Sequence, residues 1–259
     1  MSQRRHGSYL LPAAVPAWYS GIRFNSRRRR DSESMAPDDQ PQTAAATRLL
    51  LLRHGQTEGN RLGQLLGITD IDLNETGRRH AHLLGKWLAA NEHVDGIYSS
   101  GLRRAFETAT IICGEMGRPE PHVIESDLGE MNFGEAEGVP VGEIAAHFPH
   151  LAAYIDYTLP DHPDWQWPGG DFRVAFYQRA VDTVNRLAAQ HRGQTIALVT
   201  HGGVITGYLH WLARQVLGFS LDFHVENCSI TELNWQPGAV EVLRMGERPW
   251  DHSPIATSC

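Results

Sequence analysis

Two stretches of unbroken apolar residues stand out from an otherwise mixed chain: Leu49–Leu52, and TIALVT at Thr195–Thr200. A strand covered on both faces reads as a continuous apolar run rather than an alternation, so both stretches are expected to be central strands. Each ends in His-Gly, in LLLRHG and in ALVTHGG. Elsewhere the period lengthens. After a Gly-containing loop, Ala81, Leu84, Trp87 and Leu88 recur at helical spacing, with Asn74 placed to cap that helix. Helices are also expected over Leu102–Met116, Val141–Phe148, Phe172–Gln190 and Val204–Leu217. Shorter strands are expected over Val94–Ser100, Val123–Ile124, Ser229–Trp235 and Val240–Met245, with loop at Gly129–Gly138.

Strands alternating with helices of this length predict an α/β protein, a three-layer sandwich whose mostly parallel sheet carries helices on both faces. Residues 47–259 read as one domain, with an insertion or lid at about 139–170. Residues 1–46 differ: they hold four prolines, an Arg27–Arg30 block and no sustained period. They are expected to be a disordered, Arg-rich extension, or translated sequence upstream of a start at Met35. Their lack of acids through residue 30 also fits a targeting segment.

Composition narrows the picture. The 259-residue chain carries a net charge of −7. Residues 1–46 hold seven arginines and four acids, so a +3 extension precedes a −10 body. A body that acidic argues against a nucleic-acid partner. No apolar run reaches the ~20 residues of a membrane span. Cys113, Cys228 and Cys259 fit neither a disulfide framework nor zinc spacing, which makes a reducing, cytoplasmic setting the expectation.

In open parallel sheets the reactive crevice lies beyond the carboxyl ends of the strands. His54 and His201 both fall there, as do the cations of Gly101-Leu102-Arg103-Arg104 after the Val94–Ser100 strand, and Glu130 in DLGEMNFGEAEG. Two imidazoles, at least two guanidiniums and a carboxylate suit phosphoryl transfer, because arginine forks match phosphate oxygens and a neutral imidazole can attack phosphorus. No Gly-x-x-x-x-Gly-Lys-Ser/Thr loop occurs, and Lys86 is the only lysine, so kinase chemistry is not indicated.

Four motifs in order carry a family resemblance: Arg53-His54-Gly55-Gln56-Thr57 with Asn60; Ser99-Ser100-Gly101-Leu102-Arg103-Arg104-Ala105-x-x-Thr108-Ala109; Leu128-x-Glu130-x-x-Phe133-Gly134-x-x-Glu137-Gly138; and His201-Gly202-Gly203. From about Leu49 to Trp235 the chain resembles the histidine phosphatase superfamily, in the branch of the cofactor-dependent phosphoglycerate mutases and α-ribazole phosphatases. A second Arg-His-Gly, at Arg5-His6-Gly7, follows no strand and has no ordered partners. The resemblance implies a phosphoglycerate mutase-like fold and a phosphohistidine intermediate on His54. It implies that Arg53, Arg104, Asn60, His201 and Gly202 bind the phosphoryl group, and that Glu130 is the general acid and base. It implies no metal and no cofactor. Leu66, Asp72, Gly101 and Asp171 depart from the usual pattern without removing a catalytic group.

Glu135 and Glu137 compete with Glu130, which alone fits the motif position. Arg103 is expected to face solvent. His80 and His82 point in different directions on their helix, and His147, His150 and His162 are expected in solvent or the lid. Between Arg118 and Arg173 there is no Lys or Arg, while the lid offers Phe148, Tyr154, Tyr157, Trp165 and Trp167. A mutase must hold a second anionic group, which this stretch serves poorly. Those aromatics either meet an apolar leaving group or pack on the core. The expected partner is therefore a small phosphorylated substrate, and the expected activity phosphomonoester hydrolysis. A mutase and a non-catalytic phospholigand-binding protein are the alternatives, and a homodimer is open.

Overall fold

The computed structural model describes residues 22–24, 45–118, 122–151, 165–217 and 223–251. Along the chain run β1 (Ile22–Phe24), β2 (Thr47–Arg53), α1 (Glu58–Arg61), α2 (Glu75–Asn91), β3 (Gly96–Ser99), α3 (Arg103–Glu115) and β4 (Val123–Ile124). They are followed by α4 (Ile144–His147), α5 (Arg173–Gln190), β5 (Thr195–Thr200), α6 (Gly202–Leu217), β6 (Ile230–Gln236) and β7 (Ala239–Glu247). The strands form one seven-stranded sheet in the order β1-β7-β6-β2-β5-β3-β4. Four of its six pairings are parallel, and β6 runs antiparallel to both neighbours.

The unbroken apolar runs are explained by burial on both faces of this sheet. Leu49 and Leu51 of β2 join Ile196 and Leu198 of β5 against Val184 and Leu187 of α5 and Ile205 and Leu209 of α6. Leu50 and Leu52 join Ala197 and Val199 on the opposite face, against Leu84 and Leu88 of α2 and Ala105 and Ile112 of α3. Removing each of these leucines from water contributes about 1.5–3 kcal/mol. Asn74 caps α2 as expected, its side chain accepting from Gly77 N at 2.8 Å.

Several elements differ from expectation. Inside the extension expected to lack structure, β1 pairs parallel with β7, Ile22 opposite Val240. The loop after His54 contains the one-turn helix α1, closed by reciprocal bonds between Thr57 and Asn60. The helix expected over Val141–Phe148 is a 3₁₀ turn, Val141–Glu143, followed by the single turn α4. Pro140 and Pro149 bracket that segment, leaving too few residues to offset helix nucleation.

The described part of the lid region is packed down. Trp165, Trp167, Ile144 and Leu151 are buried with Met131, Phe176 and Val204 in a third apolar cluster, and Phe148 packs against it. Of the two readings of the lid aromatics, core packing holds for both tryptophans. Tyr154, Tyr157, His162 and Arg5-His6-Gly7 lie outside the described residues. No described helix is long and apolar enough to cross a membrane.

Candidate active site

Strands β2 and β5 lie side by side in parallel, with Arg53 opposite Thr200, and His54 N extends the ladder by donating to Thr200 O at 2.9 Å. The residue after each strand is a histidine, so topology brings His54 and His201 together with ring centroids 5.1 Å apart. Both are buried, at 3% and 0% exposure. His54 Nδ1 lies 2.7 Å from Gly55 O. A carbonyl only accepts, so Nδ1 carries the proton and the Nε2 lone pair is left available. Burial and the positive charges of Arg104 and Arg53 hold the His54 pKa well below the usual histidine range. The same causes, with burial first, depress His201. Both rings are therefore neutral around pH 7. His201 Nε2 is 2.7 Å from Ser100 Oγ, which also accepts from Leu102 N.

Arg104, 1% exposed, sits in the first turn of α3 and reaches back to the loop before α2. It donates from Nη1 to Thr69 O at 2.9 Å and from Nη2 to Gly67 O at 2.6 Å. Arg53 donates from Nη1 to Val225 O at 2.6 Å. Their Nε atoms and His201 Nδ1 are buried and make no hydrogen bond within the chain. Burial works against both charges and the Glu130 carboxylate offsets part of that cost, while arginine stays protonated in either case. The two cations are thus bonded mainly to neutral carbonyls.

Glu130 is 8% exposed at the start of α6. Its Oε2 accepts from Gly203 N at 2.9 Å and its Oε1 from Met131 N at 3.0 Å. Burial raises its pKa, opposed by those two amides and by Arg104 and Arg53. Asn60 Oδ1 is committed to Thr57 N and to Asn227 Nδ2, so any bond from Asn60 to a ligand would come from its amide nitrogen. Gly202 opens α6, and a Cβ there would lie 3.4 Å from Arg53 Nε, which sets that guanidinium beside the helix start.

The residues anticipated from sequence thus converge, and the competitors go elsewhere. Glu137 accepts from Ile68 N, from Phe133 N and from both donors of Thr69, so it pins the loop whose carbonyls receive Arg104. Glu135 is exposed, and Arg103 is exposed while pairing with Asp70 and Asp72. His82 pairs with Glu115 of α3.

Three supporting residues had no assigned role. Ser100 buttresses His201. Thr108 receives Gly55 N at 2.9 Å and donates to Arg104 O, tying the loop after β2 to the arginine helix. Asn227 donates to His54 O at 3.0 Å and to Asn60 Oδ1. Ser100 and Thr108 lie within the second sequence motif, and the structure buries both completely. Asn227 carried no local signal.

A buried pair of neutral imidazoles between two arginines, with a raised carboxyl facing a helix start, has the charge and donors that suit an anionic phosphoryl group. Residues 49–248 match the histidine phosphatase superfamily (branch 1), and the chain belongs to that family. It is 33% identical over 194 residues to a metal-independent phosphoserine phosphatase of Arabidopsis thaliana, covering 73% of this chain and 79% of that protein. It is 32% identical over 224 residues to the glucosyl-3-phosphoglycerate phosphatase of Mycolicibacterium vanbaalenii, covering 80% and 95%. Among solved structures, a phosphoserine phosphatase mutant from Entamoeba histolytica in complex with phosphoserine superposes with a TM-score of 0.64. The two are 26% identical, and the match covers 79% of this chain and 98% of that one.

Proposed function

We propose that this protein hydrolyses phosphomonoesters of small metabolites through a phosphohistidine on His54. The observation that carries the reading is the Nδ1 contact to Gly55 O, which frees the His54 Nε2 lone pair inside a crevice flanked by Arg53, Arg104 and Glu130. Nε2 attacks phosphorus and the bond from phosphorus to the ester oxygen breaks. Glu130, whose pKa is raised by burial, acts as the acid and gives a proton to the departing oxygen. Water then attacks the phosphohistidine while the Glu130 carboxylate takes a proton from it. The N–P bond breaks, inorganic phosphate leaves, and His54 returns neutral. Arg53 and Arg104 grip the transferring oxygens, with His201, the Asn60 amide and the Gly202 amide adding donors.

The protein groups alone supply nucleophile, acid, base and charge stabilisation, and the phosphatase names of the relatives support hydrolysis over transfer between two ends of one substrate. The test is a rapid quench with a ³²P-labelled phosphomonoester in the presence of EDTA. Wild-type protein is expected to trap acid-labile, base-stable label, and His54→Ala none, with turnover reduced about 10⁴-fold or more. Full turnover by His54→Ala overturns the mechanism.

A further inference from the structure

Helix α6 turns Gly203, Thr206, Gly207 and His210 toward one side, at spacings of three and four residues. Its two glycines let other side chains come down onto the helix. A Cβ at position 203 would lie 2.2 Å from Glu130 Oε1, and one at position 207 would lie 2.7 Å from Tyr177 Cδ1. Against this face is a cleft of about 170 Å³ whose walls include Glu130, Phe133, Tyr177, Thr206, His210 and Phe223. The His210 ring is flanked by Phe223, at 5.2 Å between centroids, and by Tyr177, at 6.2 Å. Glu130 is therefore a wall shared by the histidine crevice and this second space. The volume is close to the ~150 Å³ in which a benzene ring is accommodated in an apolar cavity.

Among the described residues, no lysine or arginine lines this cleft. Arg173 lies 6.0 Å from the Tyr177 ring centroid, and Arg179 donates to the carbonyls of Asp127, Gly129 and Glu130. An alcohol bearing a carboxylate would meet the Glu130 carboxyl and three aromatic walls, with no guanidinium or ammonium among the described lining residues to receive it.

We propose that the cleft beside Glu130 is the leaving-group pocket and that it takes an uncharged alcohol with a ring or compact apolar body. It disfavours esters whose alcohol carries a carboxylate. The inference rests on the hydrolytic reading above, with Glu130 as the general acid. It separates this chain from relatives named for phosphoserine and glucosyl-3-phosphoglycerate, whose alcohols both bear a carboxylate.

The test compares kcat/KM for benzyl phosphate, O-phosphoserine, 3-phosphoglycerate and methyl phosphate on the full chain. Benzyl phosphate is expected to exceed the two carboxylate esters at least about tenfold. Tyr177→Ala and Phe223→Ala are each expected to lower the benzyl-to-methyl ratio about tenfold, mainly through KM. Thr206→Arg is expected to shift preference toward phosphoserine. Equal or better use of phosphoserine by the wild type, with phosphohistidine formed, overturns the pocket assignment and leaves the hydrolytic reading standing. Absence of phosphohistidine from every ester overturns the hydrolytic reading, and the pocket assignment with it.

Discussion

Arg48 and Arg53 lie near opposite ends of β2, and their surroundings differ in kind. Arg48 bonds Glu232 at 2.6 Å and Glu92 at 2.5 Å, and Arg244 bonds the same two carboxylates at 2.7 and 3.0 Å. Two cations meet two anions there, and the network is closed. At the other end, Arg53 and Arg104 bond backbone carbonyls, and the nearby Glu130 carboxyl is pushed toward its neutral form. Positive charge is left over in a buried place. A fold leaves charge uncompensated where a ligand of opposite sign completes it, so the closed end should govern stability and the open end chemistry.

After loss of the His54 nucleophile, the largest effect is expected from Glu130→Gln, which keeps shape but cannot supply a proton. For alkyl phosphates, kcat should fall about 10²–10⁴-fold, and for p-nitrophenyl phosphate, whose leaving oxygen needs little help, far less. The pH dependence follows from the directions of the shifts. Glu130 is raised, so formation of the phosphohistidine from an alkyl ester should decline as pH rises through that elevated value. His54 is depressed well below 6.5, so protonation of the nucleophile should cut the rate only far on the acid side. Pre-steady-state rates across pH check both limbs, and the alkaline decline should vanish in Glu130→Gln. A decline that persists in the variant would remove Glu130 from the acid's role.

Glu232→Gln probes the closed end. It leaves Arg48 and Arg244 sharing one carboxylate, and unfolding free energy should drop by about 2–4 kcal/mol. The figure sits at the low side because both guanidiniums keep some contact with water. Urea denaturation measures it, and kcat/KM should be unchanged. A loss of activity without loss of stability would erase the contrast between the two ends.

The open end was readable in the sequence because its residues follow strands. LLLRHG and ALVTHGG state both burial on two faces and what comes next in the crevice, and Arg104 and Glu130 sit in short motifs at a helix start and a loop. The closed end was not readable, since Arg48, Glu92, Glu232 and Arg244 are joined only by strand register and helix packing. The leaving-group cleft shares that difficulty: Tyr177, His210 and Phe223 come from three separate segments. Asn227 meets His54 across 173 positions through a turn whose neighbour Cys228 has a positive φ of 57°, a feature no pattern of apolar residues announces.

Arg104→Ala removes one of the uncompensated charges. All substrates should lose about 10²–10³-fold in kcat, irrespective of leaving group, because the interaction is with the phosphoryl oxygens. Thermal stability without ligand should change little, since the lost bonds are to carbonyls that loop movement can expose to water. Inorganic phosphate at about 100 times its Kd should raise wild-type stability by about 2.7 kcal/mol, seen as a higher Tm. The variant should show a much smaller rise. A phosphate-induced shift of equal size in Arg104→Ala would mean that the excess charge is not where the anion binds.

The smallest effect separates the residues that touch the phosphoryl group from those that hold them. Ser100 Oγ lies 2.7 Å from His201 Nε2 and fixes that ring while accepting from Leu102 N. Ser100→Ala leaves the ring in place by packing but frees its orientation and strips one buried nitrogen of its partner. A fall in kcat of about tenfold is expected, equal for benzyl and methyl phosphate, with KM nearly constant. Ser100→Thr keeps the hydroxyl and should recover most of the rate. If Ser100→Ala instead altered the benzyl-to-methyl ratio, His201 would act toward the leaving group, and the boundary between the charged crevice and the aromatic cleft would have to be drawn through His201 rather than through Glu130.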